Sequence, residues 1–338
     1  MLLSVSGLRV TLPTARGPVE ALRGVDLALD RGDTLGLIGE SGCGKSLTAL
    51  ALMGLLPEGA RVAGSIRLDG RELVGLPEAA WRALRGDRVA MVFQEPMTAL
   101  NPLHRIGRQI AEPLRLHRGL DSNAARAEAL RLLERVKLPQ AARRLDAWPH
   151  QLSGGQRQRV MIAIALACGP DLLIADEPTT ALDVTIQAQI LALIDELVAE
   201  TGMALLLISH DLAVIARHVR RMLVMYGGSV VEAGPTDAVF ARLAHPYTRG
   251  LFAARPRLGE ATRGAKLPTI AGRVPELADL PAGCPFSNRC AWVVEACGAA
   301  LPPMVEVGAG HAARCIRVHE LPAPAAVLTP TLSRGETA

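Results

Sequence analysis

The stretch Gly39-Glu40-Ser41-Gly42-Cys43-Gly44-Lys45-Ser46 decides the fold of this chain. It matches the pattern G-x-x-x-x-G-K-[ST] at every fixed position and follows Thr34–Ile38, an apolar segment typical of a buried strand. A strand that enters such a loop, followed by a helix that leaves it, forms a phosphate-binding P-loop. The stretch therefore predicts an α/β fold of the P-loop type and a nucleotide ligand.

Each part of the P-loop has an expected task. Glycines let backbone N–H groups surround the phosphates, and the following helix adds positive potential at its N-terminus. Lys45 is expected to reach the β- and γ-phosphates, the Ser46 hydroxyl to ligate Mg²⁺, and Cys43 to be a tolerated small side chain. The predicted phosphate-binding residues are Gly39, Ser41, Gly42, Gly44, Lys45 and Ser46.

A second apolar strand ends in two adjacent carboxylates. Leu172–Ala175 is followed directly by Asp176 and Glu177. Because ligands of open α/β sheets bind at the carboxyl ends of the strands, both side chains are expected beside the P-loop. We predict that Asp176 binds Mg²⁺ and that Glu177 is the general base that activates the attacking water.

Strands and helices alternate along most of the chain. The pattern predicts strands at Leu3–Val10, Val25–Leu29 and Ala204–Ile208, and a helix through Ile190–Ala199. Between about 105 and 170 the periodicity is helical, and one face of Ala124–Val136 is apolar. This segment predicts a helical subdomain inserted into a parallel sheet that is covered by helices. The residues expected on the apolar face are Ala125, Ala129, Leu132, Leu133 and Val136.

Composition narrows the class of protein. Of 338 residues, 49% are hydrophobic and 21% charged, as in a packed α/β protein. The net charge of +4 is spread along the chain, which argues against a nucleic-acid partner. The longest apolar run, Val160–Cys168, is far shorter than a membrane span, and no export signal is recognisable, so the cytoplasm is the expected compartment.

Further motifs narrow the family. Leu152-Ser153-Gly154-Gly155-Gln156 resembles the signature motif of ABC ATPases. The resemblance continues with Gln94 in Val92–Pro96, with Ala181-Leu182-Asp183, and with His210 in Ile208–Asp211. These motifs, together with the P-loop and the acidic pair, follow one another in one chain and identify it as a member of the ABC ATPases.

The resemblance implies a composite ATP site. In this family two ATPase domains dimerise head to tail, so ATP lies between the P-loop of one and the signature helix start of the other. Residues Ser153, Gly154, Gly155 and Gln156 would serve the partner's ATP. Gln94 would join Mg²⁺ and water to the transporter-facing loop, Asp183 would act across the dimer, and His210 would contact the γ-phosphate. A second ABC ATPase subunit, either a copy of this chain or a paralogue, is implied.

One departure from the family concerns the adenine. ABC ATPases usually stack the base on an aromatic residue before the P-loop, yet no Phe, Tyr or Trp precedes Trp81. The stretch Val10–Gly17 is expected to supply the contact, with Leu12 packing on the base or the Arg16 guanidinium stacking on it. Weaker affinity or relaxed base selectivity is the expected consequence.

Three longer runs point to one branch of the family. They resemble the dipeptide and oligopeptide importers, with nickel importers sharing them closely. This branch implies two integral membrane permease subunits, an external substrate-binding protein that acts indirectly, and a place on the cytoplasmic face of the membrane. A nickel importer and a non-transport ABC ATPase remain the alternatives. The runs are Glu95–Pro102, Thr179–Gln189 and His245–Thr248.

Four cysteines cluster near the end of the chain. Cys284, Cys290, Cys297 and Cys315 give the spacing C-x5-C-x6-C-x17-C, which suits a four-thiolate site but lacks the tight pairs of zinc ribbons. Similar cysteines in this branch are associated with an iron–sulfur cluster. A [4Fe–4S] cluster, zinc and reduced metal-free thiols all remain open, and His311 is expected at the surface or behind a ligand rather than as a ligand.

These observations predict the domain organisation. We expect an ABC ATPase domain over 1–253, with its helical subdomain at about 95–170. A C-terminal extension of the oligopeptide-transporter type, carrying the four cysteines, is expected over 254–320. Residues 321–338 are rich in Pro, Ala and Thr and are expected to be disordered.

Overall fold

The computed structural model describes residues 1–180, 182–254 and 269–322. The expected disordered tail lies outside the described residues from residue 323 onward. Ala181, which belongs to one of the motifs, also lies outside them. None of the helices among the described residues combines the length and apolar character needed to span a bilayer.

The described strands form two sheets. One is a four-stranded antiparallel sheet in the order β2-β1-β4-β5, and the other an eight-stranded mixed sheet in the order β11-β12-β10-β9-β3-β8-β7-β6. The strands are β1 (Leu3–Thr14), β2 (Gly17–Leu29), β3 (Thr34–Ile38), β4 (Arg61–Leu68), β5 (Arg71–Glu72), β6 (Val89–Val92), β7 (Leu172–Asp176), β8 (Ala204–Ser209), β9 (Arg221–Tyr226), β10 (Ser229–Pro235), β11 (Val305–Gly308) and β12 (His311–Ala313).

Helices cover the larger sheet and build the inserted segment. Short 3₁₀ turns lie at Pro149–Gln151, Leu277–Asp279, Ser287–Arg289 and Glu295–Gly298. The α-helices are α1 (Lys45–Leu52), α2 (Glu78–Leu84), α3 (Pro96–Ala99), α4 (Ile106–Arg118), α5 (Ser122–Arg135), α6 (Ala141–Arg144), α7 (Gly154–Leu166), α8 (Val184–Thr201), α9 (Leu212–His218), α10 (Thr236–Arg242) and α11 (Pro246–Ala253).

The parallel part of the larger sheet positions the motifs. Strand β3 pairs in parallel with β8 and β9, and β7 pairs in parallel with β8 and β6. The P-loop follows β3 and the acidic pair closes β7, so both emerge at the same edge of the sheet. The predicted α/β class is confirmed, and the core strands are buried on both faces, as their continuous apolar sequences indicate.

The helical segment packs as its sequence pattern predicts. All five residues expected on the apolar face of α5 are buried, and they pack together with α4 and α7. Asp121 starts α5 by accepting hydrogen bonds from the N–H groups of Asn123 and Ala124. Burial of that face joins the helical segment to the core of the larger sheet.

The first hairpin is longer than predicted. The sequence pattern ended the first strand at Val10 and began the second at Val25. In the structure β1 continues to Thr14, and β2 already begins at Gly17. Pro13 interrupts the pattern without interrupting the strand, because β4 pairs with β1 only up to Thr11. Gly17, with φ +102°, allows the tight turn at the tip of the hairpin, which extends beyond the part of β1 that pairs with β4.

The C-terminal extension is built into the main sheet. Strand β12 pairs with β10 and adds the β11–β12 hairpin to the edge of the eight-stranded sheet. Glu232 of β10 is completely buried and lies 2.8 Å from His311 Nε2, and it also accepts the N–H groups of Ala244 and His245. His311 is therefore buried and held by a carboxylate, and the surface position considered for it from the sequence was wrong.

Candidate active site

The P-loop has the conformation that its glycines permit. Gly44 takes a φ of +107° immediately before α1, and a Cβ at Gly39 would lie 2.3 Å from the Met225 carbonyl oxygen. Only glycine fits either position. The loop is thereby held between the end of β3 and the turn after β9, with the N-terminus of α1 facing the space enclosed by the loop.

Lys45 is folded onto the loop. Its Nζ donates to the carbonyl oxygens of Gly39 at 2.7 Å and Glu40 at 3.1 Å, and the side chain is buried. A buried ammonium that donates to these two carbonyl oxygens can turn toward a phosphate without leaving the loop. The lysine therefore lies where the motif requires.

Asp176 ends β7 as a buried carboxylate with a free oxygen. The residue is 4% exposed, and its Oδ1 has no hydrogen-bond partner. Burial raises the pKa of Asp176, and a hydrogen bond from the Ser46 hydroxyl works against that rise. An orphaned buried oxygen beside a serine hydroxyl fits a hard divalent cation such as Mg²⁺, which takes oxygen ligands.

One carboxylate oxygen of Glu177 contacts three polar side chains. Its Oε2 accepts hydrogen bonds from Gln94 Nε2 and from Thr180 Oγ1, both at 2.9 Å, and lies 3.2 Å from His210 Nδ1. Three residues from separate motifs, Gln94, Glu177 and His210, thus converge. Glu177 also has a φ of +45°, which is rare for a residue with a side chain and recurs at functional sites. The sequence motifs did not indicate Thr180 as a fourth member.

The signature motif forms a helix start. Ser153 caps α7 by accepting the N–H of Gln156, whose side chain accepts the N–H of Ser153 in return. Gly155 packs against α8, because a Cβ there would lie 2.6 Å from Ile186 Cγ2. The capped, glycine-rich N-terminus suits an anion brought by another molecule.

Comparison with known proteins identifies the family. The model of the ABC transporter family matches residues 22–180, and that of the oligopeptide/dipeptide transporter C-terminal region matches residues 231–297. The oligopeptide transport ATP-binding protein OppD of Salmonella typhimurium is 48% identical over 322 residues, covering 95% of each chain. OppD of Escherichia coli is 48% identical over 321 residues, covering 95% of this chain and 94% of its own. The chain belongs to the ABC transporter ATPases.

A solved structure supports the assignment. The dimeric, post-hydrolysis ATP-binding cassette bound to ADP and Pi is 29% identical to this ABC ATPase, with a TM-score of 0.63. The match covers 70% of this chain and 99% of the cassette. The ATPase fold and the enzyme class predicted from the P-loop are therefore confirmed, as is the peptide-transporter branch of the family.

Asp183 has a local partner in this ABC ATPase. It caps α8, and its Oδ1 accepts the N–H of Ile186 at 2.9 Å. Val184, the first residue of the helix, is exposed. The cap explains why an aspartate suits this position, while the action of Asp183 across a dimer stays a prediction.

The extension contacts the P-loop directly, which the sequence did not indicate. The Arg289 guanidinium binds both carboxylate oxygens of Glu40, at 2.7 and 3.2 Å, and its side chain is 4% exposed. The N–H of Glu40 donates to the Tyr247 hydroxyl at 2.8 Å. Arg289 also faces the rings of Tyr226 and Phe286. No motif singles out this arginine, because its partner lies far away in the chain.

The four C-terminal cysteines line one small cavity. Burial raises the pKa of Cys284 to about 11 and also raises the pKa values of Cys290 and Cys315. Among the described residues, no group of three or more His, Cys, Asp or Glu side chains is arranged to hold a single metal ion. The cavity residues include Cys284, Cys290, Cys297, Cys315, Phe286 and Trp292.

Proposed function

We propose that this ABC ATPase is the motor subunit of an importer for oligopeptides or dipeptides. The observation that carries the enzymatic part is the convergence of Gln94 and His210 on one oxygen of Glu177, beside the P-loop. The peptide cargo is supported by the OppD relatives and by the matching C-terminal region. A nickel importer remains the second candidate for cargo, because the sequence runs resemble both kinds of importer.

The geometry supports a direct hydrolysis. The phosphates of ATP would lie in the P-loop, where Lys45 exchanges its carbonyl partners for phosphate oxygens. Asp176 and Ser46 would hold Mg²⁺, which would supply positive charge to the phosphates. A water attacks the γ-phosphorus, and the Glu177 carboxylate accepts its proton. The bond to the β–γ bridging oxygen breaks, which releases ADP and phosphate. Gln94 and His210 keep the Glu177 side chain directed at the water.

The second half of each site would come from another ATPase subunit. The capped helix start at Ser153–Gln156 is suited to bind an anion. We expect it to contact the γ-phosphate of the ATP that lies in the partner's P-loop. The solved ATP-binding cassette to which this chain is similar is dimeric. We propose the same arrangement here, with a copy of this chain or a paralogue as the partner and Asp183 near the contact.

A groove on the helical segment suits the membrane subunits. It has a volume of about 690 Å³ and runs along α4. Exposed apolar side chains lie on this segment at Met97, Leu103 and Leu116. We propose that one of the two permease subunits docks here and the other on the partner ATPase, which places the chain on the cytoplasmic face of the membrane. An external substrate-binding protein would act only through the permeases.

Reversing charge in the groove is expected to detach the chain from its membrane partners. Arg108 and Arg115 are exposed groove residues on α4, so Arg108→Glu/Arg115→Glu should prevent co-purification of permease subunits from detergent-solubilised membranes. ATP binding should be unchanged. Arg131→Glu on α5, which is exposed outside the groove, is the matched control. Undiminished permease recovery with the double variant, or ribosomal or DNA partners instead of permeases, contradicts the proposal.

We propose a [4Fe–4S] cluster at the four cysteines. All four cysteines line one cavity, as the ligands of a single bound group must. A [4Fe–4S] cluster would bind each thiolate at a separate iron, whereas zinc would need all four sulfurs at about 2.3 Å from one point. The cluster would stabilise the irregular part of the extension. We also propose that the ATPase domain spans residues 1–253 and the C-terminal extension residues 254–320.

Metal analysis of protein purified without oxygen tests the cluster. We expect about four irons and four acid-labile sulfides per chain, in keeping with four thiolate ligands. Cys284→Ser should lose most of both, and Cys168→Ser, a buried cysteine outside the cavity, should keep them. Stoichiometric zinc without sulfide contradicts the cluster, as does the absence of iron.

A further inference from the structure

A cavity beside the P-loop is lined by three separate parts of the chain. It has a volume of about 510 Å³ and is called the base pocket below. Its walls come from the β1–β2 hairpin, from the P-loop, and from residues 274–278 of the C-terminal extension. The larger apolar side chains in the walls are Leu12, Val19, Val274, Pro275 and Leu277, with alanines such as Ala21 beside them.

The base pocket is continuous with the phosphate site. Ser41 and Gly42 of the P-loop form part of its lining. A nucleotide with its phosphates in the loop therefore has this cavity within reach of its other end. Apolar walls from two separate parts of the chain suit the two flat faces of a purine. The hairpin alone cannot stack on the base, since no aromatic residue precedes Trp81.

One contact holds the extension on the β1–β2 hairpin, and a second packs it on the turn after β9. The Arg16 guanidinium binds Asp279 in a bidentate pair, at 3.0 and 2.5 Å, and reaches Glu276 at 3.3 Å. This pair is exposed, so it fixes position more than it adds stability. Gly227 lies so close to the extension that a Cβ there would be 2.9 Å from Pro285 Cβ. Arg16 is thus occupied by carboxylates and not free to stack on a base.

We propose that the C-terminal extension completes the adenine site of this ATPase. Leu12 and Val19 cover one face of the base, and Val274, Pro275 and Leu277 cover the other. The extension takes the place of the aromatic residue that other ABC ATPases use. The inference rests on ATP binding at the P-loop, and it makes nucleotide affinity depend on a segment far from every ATP motif.

Polar substitution of the extension's wall should weaken ATP binding selectively. Val274→Asn/Leu277→Asn removes two half-buried apolar side chains from the pocket, so we expect the Kd for ATP to rise about tenfold or more. The Kd for tripolyphosphate, which has no base, should stay within about twofold. Val293→Asn, at an exposed valine of the extension outside the pocket, is the matched control and should bind both probes normally.

A charge swap tests the position of the wall. Arg16→Asp should also weaken ATP binding, and adding Asp279→Arg should restore it, because the pair re-forms with reversed charges. Unchanged ATP affinity in both Val274→Asn/Leu277→Asn and Arg16→Asp overturns the inference. Equal losses for ATP and tripolyphosphate also overturn it, since they locate the effect in the P-loop. If the native chain binds neither probe, the proposed ATPase function itself fails.

Discussion

Replacing Glu177 with Gln is expected to lower the kcat of ATP hydrolysis by about 10²- to 10⁴-fold. The amide keeps the shape of the side chain and can still contact Gln94 and His210, but it cannot take a proton from the attacking water. ATP affinity should remain within about twofold of the native value, because Glu177 does not hold the phosphates. Phosphate release and equilibrium ATP binding measure the two quantities separately.

The control for this variant is Glu200→Gln. Glu200 lies at the surface and pairs with Arg135, so the same chemical change there should leave kcat unchanged. Native turnover by Glu177→Gln would show that another group is the base. A loss of ATP affinity as large as the loss of kcat would assign Glu177 to binding instead.

Replacing Lys45 with Ala is expected to raise the Kd for ATP by about 10- to 100-fold. The change removes charge-assisted hydrogen bonds to the β- and γ-phosphates, each of which contributes about 1.5–3 kcal/mol. In the native chain the ammonium is buried and already hydrogen-bonded inside the loop. Removing it leaves the loop intact at its glycines but without a cation for the phosphates.

Thermal unfolding separates binding from folding in this case. Lys45→Ala should lose the rise in Tm that ATP produces in the native chain, while unfolding cooperatively without nucleotide. Lys137→Ala, at a lysine paired with Glu196 on the surface, should keep that rise in full. An undiminished ATP-dependent Tm shift in Lys45→Ala would contradict the assigned role.

Local patterns predicted the parts of the site that are contiguous in sequence. The P-loop, the strand that ends in Asp176 and Glu177, and the signature helix start each have short-range signals, because backbone geometry and capping depend on neighbouring residues. The choice of Gln94 and His210 as site residues followed from the family resemblance. Their meeting at one carboxylate oxygen could be seen only in three dimensions.

The long-range contacts of the extension could not be predicted from the sequence. Nothing near Arg289 indicates that it binds Glu40, and nothing near Asp279 indicates Arg16, since each pair is separated by roughly 250 residues. The edge position of β12 depends likewise on its pairing with β10. The β1–β2 hairpin was predicted too short because a proline normally marks the end of a strand. Pro13 is tolerated within β1 because β4 pairs with β1 only up to Thr11. Tertiary context decided all of these features.

Uptake of a labelled oligopeptide tests the central claim most directly. Cells that carry the native chain, the chain with Glu177→Gln, or no chain are compared for uptake of the peptide and of Ni²⁺. The account predicts that peptide uptake is lost without the chain and with Glu177→Gln, although that variant remains bound to the membrane, and that Ni²⁺ uptake is unchanged. Peptide uptake at the native level with Glu177→Gln would contradict the motor function, and loss of Ni²⁺ uptake alone would contradict the peptide cargo.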